Sequence, residues 1–121
     1  MQPPLTIRDW QLMCHQNAKE KGFYDTEEDP TNIAHIGKRI ALIHSELSEA
    51  FEEARDGHLD VYYVQDKQGN QKPEGMPIEL ADVFIRLVDW CQALGIDLES
   101  AVKVKYIYNA GRPHMHGGKR C

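Results

Sequence analysis

Ile33-Ala34-His35-Ile36-Gly37-Lys38-Arg39-Ile40-Ala41-Leu42-Ile43-His44-Ser45-Glu46-Leu47-Ser48-Glu49-Ala50-Phe51-Glu52-Glu53-Ala54 decides the fold. Ile33, Ile36, Ile40, Ile43, Leu47, Ala50, Phe51 and Ala54 recur at steps of three and four, the period of an amphipathic α-helix. The helix is expected from about Asn32 to Asp56, and Gly57 stops it. Glu46, Glu49 and Glu53 fall along one edge of the apolar stripe. An uncommitted glutamate ordinarily sits on the opposite, solvated face.

Working outward, Thr6 caps a first helix, with Asp9 three residues later completing a capping-box pattern, and Gly22 ends it. The acidic stretch from Tyr24 to Pro30 reads as a loop. After Gly57, residues 58–75 form a long connection, and a short β-hairpin is expected near 60–73. Pro77 suits the first turn of a third helix, which runs through Ile78, Ala81, Ile85, Val88 and Leu94 to Gly95. Asp97 caps a last helix from Leu98 to about Asn109. Residues 110–121 read as an irregular basic tail. The fold class is all-α, one domain over 1–121: a four-helix bundle too thin to cover its own apolar faces, and so completed by oligomerisation.

The 121 residues carry a net charge of −5. An acidic chain is a poor ligand for nucleic acid, which asks for basic surface. No apolar run approaches the length of a membrane span, and Met1-Gln2-Pro3-Pro4 does not begin a signal peptide, so a cytoplasmic protein is expected. Cys14, Cys91 and Cys121 form no CxxC pair and read as structural or terminal thiols.

Chemistry is carried by two short acidic motifs, Glu46-Leu47-Ser48-Glu49 and Glu79-Leu80-Ala81-Asp82. In each, two carboxylates three residues apart lie on one side of a helix. A single such motif is ordinarily a solvated surface pair. Two of them at the edges of apolar stripes point to a shared site. Crowded carboxylates repel unless a cation joins them, and four oxygen donors suit Mg²⁺, with Mn²⁺ expected to substitute. Glu46, Glu49, Glu79 and Asp82 are the candidate metal ligands.

The acidic charge is opposed by a basic end. Lys105, Asn109 and Arg112 share a face at the close of the last helix and read as phosphate or sugar ligands, or else as a terminus complementing the helix dipole. Lys119 extends this set. His114-Met115-His116 reads as a loop rather than a zinc site. Lys38 and Arg39 precede the first acidic motif and are candidates to approach phosphate, with a solvated face as the alternative. Trp10, Asn17 and Phe23 could frame a base, although Trp10 reads first as core. Arg86 and Asp89 extend the acidic stripe of the third helix as partners of its carboxylates or of another subunit.

The ordered set Ser45-Glu46-Leu47-Ser48-Glu49-Ala50, Ile78-Glu79-Leu80-Ala81-Asp82-Val83, Lys105-Tyr106-Ile107-Tyr108-Asn109, Arg112-Pro113 and His116-Gly117-Gly118-Lys119 resembles the MazG-like, all-α nucleoside triphosphate pyrophosphohydrolases. It covers the chain from about Ile33 to Lys119, and departs from compact members in the long 58–75 connection. The resemblance implies a dimer or tetramer. It implies a nucleoside triphosphate substrate, cleaved between its α- and β-phosphates with Mg²⁺. It makes Glu46, Glu49, Glu79 and Asp82 the metal ligands, and one of the glutamates, or Glu53, the general base. The base is not readable from the sequence: a purine such as dGTP is the first expectation, with dCTP, dUTP and modified nucleotides open. The alternatives are a nucleotidase that also accepts diphosphates, a phosphoribosyl-ATP pyrophosphohydrolase, or a non-catalytic helical dimerisation module.

Overall fold

The structure is a computed structural model and describes residues 4–26 and 29–113. Lys119 and the His114-Met115-His116 segment therefore lie outside the described residues.

The elements run α1 (Ile7–Glu20), α2 (Ile33–Arg55), β1 (Tyr62–Gln65), β2 (Gln71–Glu74), α3 (Met76–Leu94) and α4 (Leu98–Ala110). Their ends lie where the capping residues put them. Thr6 Oγ1 accepts from the Asp9 amide at 3.1 Å, and Asp9 Oδ2 accepts from the Thr6 amide at 2.9 Å. Asn32 Oδ1 accepts from the Ala34 amide, and Asp97 Oδ1 from the Ser100 amide. Gly95, in the left-handed region at φ 73°, closes α3, and the Ile96 amide donates back to the Cys91 carbonyl.

The expected hairpin is present. Strands β1 and β2 pair antiparallel, with Tyr62 opposite Glu74 and Gln65 opposite Gln71. Asp66 Oδ1 caps the turn by accepting from the amides of Gln68 and Asn70. At the hairpin's base Gly75 has φ 114°, and a Cβ there would collide with the Asp60 carbonyl oxygen. Only glycine fits this junction between β2 and α3.

α3 is the spine of the molecule, packing against both α1 and α2. Among the described residues the buried apolar ones are Ala18, Ala50, Val88 and Cys91, a core of small side chains. On α2 the buried residues are Glu46 and Ala50. Ile33, Ile40, Leu47 and Phe51, part of the same apolar stripe, stay exposed. α4 leans on α1 and buries no residue of its own. Val104, Tyr106 and Ile107 are 70%, 70% and 72% exposed. Trp10, expected in the core, is instead exposed at 37%, with its ring meeting the edge of Phe84. The bundle is thin, and it leaves apolar faces on α2 and α4 uncovered within one chain.

Candidate metal and nucleotide site

α2 and α3 bring three of the four expected ligands together. One carboxylate oxygen each of Glu46, Glu79 and Asp82 lies within 4.8 Å of the others. The Glu46 side chain is 8% exposed, and Arg86 Nε donates to its Oε1 at 2.7 Å. Its other oxygen, Oε2, is buried with no donor among the described residues, and so is Glu79 Oε2, although the Glu79 carboxyl lies close enough to Glu46 and Glu49 to share a proton with them. Two orphaned carboxylate oxygens side by side are costly unless a proton or a cation joins them. The donor set is all oxygen, which fits Mg²⁺ or Mn²⁺.

The electrostatics agree with the crowding. Burial pushes the Glu79 carboxyl up to about 7, helped by hydrogen bonding with Glu49 and Glu46 and by the charges of Glu49 and Asp82. Asp82 is raised as well, first by burial and next by the charge of Glu46, against the opposing pull of Arg86. Glu49 is the exposed member: it reaches Glu79 but stands outside the tight group of three.

Glu53, one turn beyond Glu49, is engaged elsewhere. His58 Nδ1 lies 2.8 Å from its Oε2, and the Tyr62 hydroxyl donates to it. Burial and hydrogen bonds to Glu53 and Glu74 push the Tyr62 phenol up to about 12, so it remains a donor. The same hairpin carries Lys72, which pairs with Glu74 at 3.2 Å and feels the charge of Glu79. Lys72 is a cation near the cluster that sequence reasoning missed, because only the hairpin register turns it back toward α3.

A cleft of about 420 Å³ opens beside the carboxylates. Glu46 and Asp82 line it, and so do Lys38, Arg39, Asn17 and Phe23. Two of the three residues expected to frame a base, Asn17 and Phe23, are in this lining; Trp10 is not. Asp89 lines it too, and accepts from the Tyr24 hydroxyl at 3.0 Å with His15 Nδ1 at 2.8 Å. Its partners are thus α1 and the following loop, not the carboxylates of the cluster.

Lys105, Asn109 and Arg112 are not brought to the cluster within one chain. They belong to α4 and its end, and Lys105 and Arg112 flank the Tyr108 ring at 4.9 Å and 5.5 Å. Gln11 is a further residue the sequence did not single out. It is 2% exposed, donates to the Ile96 carbonyl at 2.8 Å and accepts from the Leu98 amide at 3.1 Å. Its only signal is a polar side chain at an apolar-stripe position between Ile7 and Cys14.

Comparison with protein-family models, curated proteins and solved structures gives no match for this chain. No helix among the described residues is long and apolar enough to cross a membrane.

Proposed function

We propose that this chain is a Mg²⁺-dependent nucleoside triphosphate pyrophosphohydrolase, releasing a nucleoside monophosphate and pyrophosphate. One observation carries the reading: Glu46 and Glu79, each with one buried carboxylate oxygen that no donor reaches, meet Asp82, and Glu46 and Asp82 line a cleft shared with Lys38 and Arg39. A non-catalytic dimerisation module would need exposed apolar faces, but not this cleft.

Glu46, Glu79 and Asp82 would hold the metal. When bound, the metal neutralises phosphate charge and acidifies a water. Glu49, exposed beside the cluster, is assigned as the general base that orients the attacking water. Arg86 fixes Glu46 by its 2.7 Å bond. Lys38 and Lys72 meet polyphosphate oxygens, and Asn17 and Phe23 border the nucleoside. Lys105, Asn109 and Arg112 act, in this reading, on the nucleotide of a neighbouring copy, because the exposed faces of α2 and α4 call for a homodimer or homotetramer.

Asp82→Asn and Glu79→Gln keep side-chain size and remove the charge. Pyrophosphate release from a panel of nucleoside triphosphates with Mg²⁺ should fall by on the order of a hundredfold or more in both, with helical circular dichroism unchanged. Turnover equal to the unmodified chain in both variants would contradict the assignment.

A further inference from the structure

Asp89 is a buried carboxylate that the metal site does not use. It lies seven residues beyond Asp82 on α3, two turns along the same face, a separation of about 10 Å at the rise of an α-helix. That is about the reach of a nucleotide from its phosphate to the far edge of its base. Asp89 is 9% exposed, and a charge this deep must be hydrogen-bonded. His15 Nδ1 and the Tyr24 hydroxyl both meet Oδ1. Among the described residues no hydrogen bond reaches Oδ2, and Asp89 is part of the cleft lining. The carboxylate is also held in place: Tyr24 stacks against His15 edge-on at 4.9 Å, and the Arg39 guanidinium lies 4.3 Å over the Tyr24 ring.

Resting on the nucleotide reading above, we propose that Asp89 selects the base: its Oδ2 accepts a hydrogen bond from an amino group on the base edge. The cleft then takes cytosine, adenine or guanine in preference to uracil and thymine. Cytosine presents an amino group where uracil presents a carbonyl oxygen. A carboxylate facing that oxygen has no proton to share, and both acceptors lose their water without replacement. Uracil's N3–H does not rescue the contact, because carbonyl oxygens flank it on both sides. A purely structural His15–Asp89 pair would leave base preference untouched.

The test is calorimetric binding of the α,β-imido analogues of dATP, dCTP, dGTP, dUTP and dTTP to the full chain with Mg²⁺. The tightest should carry an amino base, with the dUTP and dTTP analogues about tenfold or more weaker. In Asp89→Asn the amide oxygen keeps the bonds from His15 and Tyr24, which turns the amide NH₂ toward the cleft. The cytosine-to-uracil affinity ratio should then fall by about tenfold or more. A uracil or thymine analogue binding as tightly as the best amino base, or an unchanged ratio in Asp89→Asn, would overturn the inference alone. If no analogue binds while Mn²⁺ does, the nucleotide reading and the inference fall together. The ratio in the unmodified chain is decisive by itself should the variant not fold.

Discussion

Glu79 shows how a single residue reports on the site. In the folded chain it holds its proton to about pH 7, whereas its ordinary value is 4.5. Between those values the folded state binds more protons than the unfolded state, so stability falls as pH rises. Asp82, also raised, acts in the same sense. The metal-free protein in chelator should therefore melt at a lower temperature at about pH 7 than at about pH 5. Glu79→Gln, which cannot ionise, should remove most of that slope. An equal slope in the variant would show that the crowding is not at Glu79. The partners of these residues were only half legible in the sequence. The helical spacing puts Glu46, Glu49, Glu79 and Asp82 on facing edges, because both pairs obey a local period, and three of the four meet while Glu49 stays at the rim. The His15–Asp89 and Gln11–Leu98 pairings join residues 74 and 87 positions apart, and no local pattern announces them.

At the scale of elements, boundaries were legible and packing was not. Thr6, Asn32, Gly95 and Asp97 mark helix ends by their own side chains or their lack of one, and the structure ends its helices there. Which part of the α2 stripe is covered depends on where α3 lies, so Ile33 and Phe51 remain exposed although they share a period with Ala50. The hairpin hinges on Gly75, which is buried with a positive φ against the Asp60 carbonyl. Gly75→Ala should destabilise the chain by about 1–3 kcal/mol or more, read as a lower urea midpoint. It should also disturb Lys72 and Tyr62, which the hairpin carries toward α3 and α2. An unchanged midpoint would mean that the junction relaxes freely.

For the whole molecule, the ratio of covered to uncovered apolar surface is the deciding quantity. A core of Ala18, Ala50, Val88 and Cys91 buries little. Ile33, Ile40 and Leu47, spaced by seven on α2, and Val104, Ile107 and Tyr108 on α4 present apolar faces to solvent. Burying such a face gains roughly 25 cal/mol per Å². Sedimentation at micromolar concentration should show a dimer or tetramer, and Ile107→Glu should shift it toward smaller species. A monomer would remove the basis for shared sites between copies.

Everything proposed for the site turns on the bond that breaks, the one between the α- and β-phosphates. Phosphorus NMR of a nucleoside triphosphate incubated with the protein and Mg²⁺ reads it directly. Monophosphate and pyrophosphate resonances should grow together, and neither should grow with Asp82→Asn or in chelator. Diphosphate with inorganic phosphate, or no metal-dependent product from any triphosphate of the panel, would contradict it.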